Sequence, residues 1–310
     1  MSVGWSVVMA GRQPDSDKTA QQRHTAGAAG RRTILGTIGA VTGLAVGTVG
    51  MSDTGAAREG DDRVAPSERS RSGATHGPHL TAHRGYADIY PENTVAAVAG
   101  ASRLRADRIE IDIQPSADGE IVVFHDEFLD DLTDETGRVA ETPAETVLGA
   151  EVLESGETVP TLAAVLDAAR PNVTMNIEFK DNGDYSWQEV AERTLSIAAD
   201  YPGEFYVSSF QTAALEAVRN VDPSVSVAKL FGSNKDENLQ IARELDAEAV
   251  NPSLGVLDTE LVETAHEEGR AVNVYTVDTW QEARRPLELG VDGLIADYPS
   301  VLEFGTGKRV

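Results

Sequence analysis

The chain has 310 residues, with 51 Asp and Glu against 26 Lys and Arg, a formal net charge of −25 and no cysteine. The missing cysteine excludes disulfides, thiolate nucleophiles, zinc–thiolate centres and lipid attachment through sulfur. An acidic surface repels nucleic-acid phosphate and anionic membranes, so neither is an expected partner.

An apolar fraction of 41% is enough for a folded core. Only five of the basic residues are lysine. This acid-rich, lysine-poor balance resembles proteins of salt-loving microbes, where high salt screens the self-repulsion.

At the amino end, Arg31-Arg32 precedes an apolar, Gly-rich run that reaches about Val49. A positive pair ahead of a short apolar run is the layout of a secretory signal, and adjacent arginines point to the twin-arginine route. The run of about 16 residues falls short of the roughly 20 that a membrane span needs. Its Gly39, Gly43 and Gly47 are spaced as in packed membrane helices. Residues 1–50 are therefore read as an N-terminal extension with an export signal. The expected destination is extracellular or the outer cell surface, with membrane contact only through this segment if it is retained. Residues 51–78 are polar and of mixed charge with no apolar period, the composition of a disordered linker.

From about residue 79 to the end at 310, strand and helix patterns alternate, the sign of a parallel sheet covered by helices. Strands are expected over 79–83, 108–114, 121–125, 173–180, 204–210, 225–231, 247–251, 271–277 and 292–297. Helices are expected over 92–105, 161–169, 186–200, 211–220, 235–245, 258–268 and 279–289. Nine strands are one too many for an eight-fold barrel. Only Pro115 to Glu120 separates the second and third, however, and a parallel crossover takes a dozen residues or more. Asp118-Gly119 is a tight-turn signal, so 121–125 should fold back as a hairpin. The remaining eight strands make an α/β fold, a (β/α)8 TIM barrel with a small hairpin insertion after the second strand.

In such a barrel the chemistry sits at the carboxyl ends of the strands. There the chain places His83-Arg84-Gly85, Ile109-Glu110-Ile111-Asp112-Ile113, Phe124-His125-Asp126 and Ile177-Glu178-Phe179-Lys180. Side chains two apart on a strand share a face. Glu110 and Asp112 therefore point one way together, as do Glu178 and Lys180, while Phe179 faces the helices. Clustered carboxylates repel each other unless a hard cation such as Mg²⁺ or Ca²⁺ coordinates them. Two histidines flanking such a cation suit in-line phosphoryl transfer, one taking a proton and the other giving one. No Walker loop is present to support nucleotide-driven transfer. His266, beside Glu267 and Glu268, is read as structural.

The runs HRGYADIYPENT (83–94), IEIDIQPSADGEIVVFHDEFLDDLTDETG (109–137), VPTLAAVLDAA (159–169), MNIEFK (175–180), VSSF (207–210), VNVYTV (272–277) and GVDGLIADYPS (290–300) resemble the glycerophosphodiester phosphodiesterases. The resemblance implies a (β/α)8 barrel and hydrolysis of glycerophosphodiesters to glycerol phosphate and an alcohol, with one divalent cation, Mg²⁺ or Ca²⁺. It implies Glu110, Asp112 and Glu178 as metal ligands and His83 and His125 as the acid/base pair. By analogy His83 is the base and His125 the acid. Arg84 and Lys180 match phosphate-contacting positions, and Glu92 matches an acidic residue lining the substrate site. The chain departs from the family pattern at Tyr275, Asp131 and Ala296, where Trp, Arg and Thr or Ser are usual; these bear on the alcohol or glycerol pocket. Two alternatives stand beside this reading. One is phospholipase-type cleavage of intact phospholipid, and the other is an exported protein that binds metal or phosphodiester without turnover.

Overall fold

The computed structural model describes residues 77–302. The expected export signal and nearly all of the expected linker lie outside the described residues. No described helix is long and apolar enough to cross a membrane.

Eight strands run parallel in a closed ring. In chain order they begin β1 (His79–Ala82), β2 (Arg108–Pro115), β4 (Thr174–Phe179) and β5 (Phe205–Ser209). They continue as β6 (Val227–Phe231), β7 (Ala249–Pro252), β8 (Ala271–Val274) and β9 (Gly293–Ala296). Each pairs with its neighbour, and β1 closes the ring by pairing with both β2 and β9. The ninth strand, β3 (Ile121–Val123), runs antiparallel to the end of β2, with Ile113 opposite Val123 and Pro115 opposite Ile121. The hairpin expected from the short connection is therefore present. Its turn needs glycine: Gly119 has φ +83°, and a Cβ there would lie 1.8 Å from the Arg193 guanidinium that donates to the Gly119 carbonyl.

Around the ring lie α1 (Val95–Arg103), α3 (Leu162–Ala168), α4 (Trp187–Ala198), α5 (Thr212–Val221), α6 (Lys235–Glu244), α7 (Thr259–Glu267) and α8 (Trp280–Leu289), with the short α2 (Ala144–Val147) in the insertion. Their starts are fixed locally. Thr94, Thr161 and Asp258 cap α1, α3 and α7, and Ser186 and Thr279 form reciprocal capping boxes with Glu189 and Glu282.

Alternation along the strands separates two environments. Ile109, Ile111, Ile113, Met175, Ile177 and Phe179 are buried against the helices, and Phe179 stacks on Trp187 of α4 at 6.4 Å. The opposite faces of β2, β4, β7 and β8 turn polar groups inward, among them Glu110, Asp112, Asn176, Glu178, Asn251 and Asn273, all buried. Barrel interiors are ordinarily filled by branched aliphatics. This one concentrates charge toward its carboxyl end.

The insertion is larger than a hairpin. Residues 124–160 form a lobe whose Phe124, Leu129, Val139, Val147, Ala150, Val152 and Val159 make a separate apolar cluster with Val122 of β3. Loop contacts hold it, as where Asp130 accepts from the Gly137 amide at 2.9 Å and Asp134 accepts from the Glu151 amide at 2.6 Å.

Candidate active site

The first strand delivers its histidine through a strained turn. His83 follows the last residue of β1, and Arg84, Gly85 and Tyr86 all have positive φ (49°, 78° and 71°). Only glycine takes this region freely. A Cβ on Gly85 would also lie 2.7 Å from the Ala97 Cβ and 2.9 Å from its carbonyl carbon. The turn thus packs directly on α1 while aiming His83 and Arg84 at the barrel mouth. The Arg84 amide donates to Glu110 Oε2 at 2.8 Å, fixing the turn to β2.

Glu110, Asp112 and Glu178 converge. Each offers a carboxylate oxygen within 4.8 Å of the others, and all three are buried. The register explains it, because Asp112 lies directly opposite Glu178 on the paired strands β2 and β4. Cations brace the cluster. Lys180 Nζ sits 2.9 Å from Glu178 Oε1 and 3.8 Å from Asp112 Oδ1, and Arg84 Nε lies 3.4 Å from Asp112 Oδ2. Arg84 also donates to Glu92 Oε1 at 2.8 Å, so Glu92 stands against the arginine.

The electrostatics divide the three acids. Burial, and then the Asp112 charge, push the Glu110 carboxyl well up. Burial also raises Glu178, with Lys180 opposing. Burial resists ionisation of Asp112 as well, but the charges of His125, Lys180 and Arg84 outweigh it and hold that carboxyl well below the usual range. Glu110 Oε1 is buried and meets no hydrogen-bond donor. A buried, donor-less carboxylate oxygen is costly by itself. An all-oxygen donor set of three carboxylates around it fits a hard divalent cation.

Each histidine is oriented by an acid. His83 Nδ1 meets Asp297 Oδ1 at 2.7 Å, and its Nε2 lies 4.0 Å from Glu110 Oε2. Burial opposes its charge, but Asp297 prevails and raises the imidazole to about 9. His125 Nδ1 meets Asp126 Oδ1 at 2.6 Å. Its pKa too is raised, Asp112 and Asp126 together outweighing burial and the charges of Lys180 and Arg84. His266, by contrast, pairs with Asp292 at 2.9 Å.

The residues given site roles from the sequence, His83, Arg84, Glu92, Glu110, Asp112, His125, Glu178 and Lys180, thus gather at one end of the barrel, whereas His266 was not expected there. Four partners had no assigned role. Asn93 exchanges hydrogen bonds with Asp112, Asp297 and Asp126 hold the imidazoles, and Gln114 reaches the segment carrying His125. Sequence adjacency marks Asp126, and the spacing of two after Asp112 marks Gln114. Asp297 becomes visible only once β9 is known to pair with β1. Of the three departures, Tyr275 meets the Phe210 ring edge-on at 5.8 Å, Asp131 is exposed and Ala296 is buried in β9.

Residues 83–301 match the sequence profile of the Glycerophosphoryl diester phosphodiesterase family. The chain belongs to this family. A glycerophosphodiester phosphodiesterase of Caldanaerobacter subterraneus subsp. tengcongensis is 32% identical over 232 residues, covering 72% of this chain and 95% of that one. One from Bacillus subtilis is 28% identical over 247 residues, covering 71% and 83%. Among solved structures, an Oleispira antarctica phosphodiesterase in complex with the product sn-glycerol-3-phosphate superposes with a TM-score of 0.70. It is 22% identical and covers 74% of this chain and 97% of that one, a likeness of fold. The barrel and the family agree: this glycerophosphodiester phosphodiesterase is a phosphoric diester hydrolase.

Proposed function

We propose that this chain hydrolyses glycerophosphodiesters to glycerol phosphate and an alcohol by histidine acid/base catalysis beside one divalent cation, Mg²⁺ or Ca²⁺, held by Glu110, Asp112 and Glu178. The observation that carries the reading is the pair of acid-oriented imidazoles beside three converging buried carboxylates. A cation held there would supply positive charge to the bound phosphate.

Arg84 and Lys180 bind and orient the phosphate, adding charge where negative charge grows in the transition state. Glu92 lines the substrate site through its grip on Arg84. With Nδ1 occupied by Asp297, His83 works through Nε2. A cation on Glu110, whose Oε2 lies 4.0 Å away, would oppose the pull of Asp297 toward the charged form. The neutral imidazole takes the proton of the glycerol 2-hydroxyl as that oxygen attacks phosphorus. The bond from phosphorus to the alcohol oxygen breaks, and His125 Nε2 protonates the departing oxygen. Water then opens the cyclic phosphate with the roles reversed. Its proton goes to His125, and His83 returns a proton to the 2-oxygen.

Activity on glycerophosphocholine with added Mg²⁺ or Ca²⁺, compared with EDTA treatment and with His83→Ala and His125→Ala, tests this scheme. Full activity in EDTA, or in either variant, overturns it. Export by a twin-arginine route and operation in high salt belong to the same proposal, supported by Arg31-Arg32 and the net charge of −25. Maximal turnover in salt-free buffer would count against the second, and secretion that survives Arg31→Lys with Arg32→Lys against the first.

A further inference from the structure

Gln114 sits near the end of β2, inward like Glu110 and Asp112 by the two-residue alternation, and is 1% exposed. Its side-chain amide does not meet the carboxylates. Nε2 donates to the Phe124 carbonyl at 3.0 Å and to the Asp126 carbonyl at 2.7 Å. One amide nitrogen therefore spends both of its hydrogens on the two peptide carbonyls that flank His125.

Where this happens matters. The β2–β3 ladder ends with Ile113 opposite Val123. The last backbone tie is the Phe124 amide to the Asp112 carbonyl at 2.9 Å. Beyond it the chain leaves the sheet toward the insertion lobe. Gln114 holds this departing segment from inside the barrel. Asp126 then closes the arrangement, its carboxylate on His125 Nδ1 and its own carbonyl held by Gln114.

We infer that Gln114 is a positioning residue for His125, and that its grip on the 124–126 backbone sets how well the departing alcohol is protonated. This rests on the reading of His125 as the leaving-group acid. A side chain that only stabilised the hairpin would, when altered, affect all substrates alike. One that places the acid matters, in the step that expels the alcohol, only where the leaving group needs a proton. Misplacement of a reacting group by about 1 Å costs on the order of 100-fold.

The experiment compares two substrates on the full chain with its divalent cation. Glycerophosphocholine has a poor alkoxide leaving group, whereas glycerophospho-p-nitrophenol loses p-nitrophenolate, which departs without protonation. Gln114→Met keeps the length and removes both donors. In single turnovers, which read alcohol release before the cyclic phosphate is opened, its rate on glycerophosphocholine should fall about 10- to 100-fold with half-saturation within twofold, while its rate of p-nitrophenolate release from the aryl diester stays within about threefold of the parent. His125→Ala should show the same selectivity with a larger loss. Gln114→Asn, which withdraws the amide by one carbon, repeats the measurement should the Met variant fail to fold. Equal losses on both substrates, or none on either, with His125→Ala still selective, overturn the inference about Gln114 alone. Equal losses in His125→Ala overturn the acid assignment beneath it.

Discussion

Asn93 and Asp112 hold each other by two hydrogen bonds. The Asn93 amide nitrogen donates to Asp112 Oδ2 at 2.8 Å, and the Asp112 backbone amide donates to Asn93 Oδ1 at 3.1 Å. Asn93 is 2% exposed and sits at φ 58°, a left-handed conformation that asparagine tolerates better than most residues. The pair orients one of the three carboxylates without occupying its other oxygen. Outer partners of metal ligands are worth about 10- to 100-fold in metal affinity. Asn93→Ala should weaken Mg²⁺ or Ca²⁺ binding by that factor in calorimetric titration, with activity recovered at higher metal concentration. Unchanged affinity would mean that Asp112 needs no such support.

Lys180 competes with the expected cation. Its ammonium lies against Glu178 and Asp112, two of the three carboxylates, and also stands 5.7 Å from the Phe210 ring centre. If its task is phosphate binding, Lys180→Met should lower kcat/KM by about 10²- to 10³-fold, the usual cost of losing one charge-stabilising donor. Metal affinity should hold or rise, because a positive charge beside the ligands has gone. Metal binding that weakens along with activity would instead make Lys180 a support for the carboxylates.

Much of this site is legible in the sequence, for physical reasons. Period-two alternation put Glu110 with Asp112 and Glu178 with Lys180, and the six-residue gap before Ile121 forced a hairpin. Both are local consequences of strand geometry. Relations created by ring closure were not readable. His83 meets Asp297 across 214 positions, and Asn93 meets Asp112 across 19. The lobe over 124–160 escaped for a different reason. Its small core is built from irregular loops pinned by side-chain-to-backbone bonds, which leave no apolar period.

The contact between His83 and Asp297 makes its own prediction. Burial raises the Asp297 carboxyl, but His83 and Arg84 more than offset this and keep it below its usual value, so it is an acceptor for Nδ1–H. Asp297→Asn keeps the shape but can offer an N–H where an acceptor is needed, which favours the wrong tautomer. The corresponding change in a serine-protease triad costs about 10⁴-fold in kcat. Here kcat should fall by about 10²- to 10⁴-fold with KM and metal affinity nearly unchanged. A loss of metal binding of the same size would show that Asp297 acts on the carboxylate cluster.

Behind Asp297 stands a second carboxyl whose ionisation should show in stability. Asp278, just before α8, has a buried Oδ1 that meets no hydrogen-bond donor. Burial, then the Asp297 charge and a side-chain hydrogen bond shared with Asp297, push it up to about 6, and Glu282 and Asp88 act in the same direction. A carboxyl raised in the folded state holds a proton there that the unfolded chain has already lost. Its contribution is therefore fullest below the unfolded value of about 3.9 and is lost as pH rises through about 6. Above that pH, two carboxylates face each other. Asp278→Asn puts a neutral amide donor beside Asp297 at every pH. Compared with the parent, it should melt at a similar temperature near pH 5 and higher near pH 8. With Asp278 only half-buried the gain is about 1 kcal/mol, or about 2–4 °C for a domain of this size. Melting curves of both proteins in EDTA at several pH values check it. A difference that stays flat with pH, or runs the other way, would mean that Asp278 and Asp297 do not repel in the folded protein.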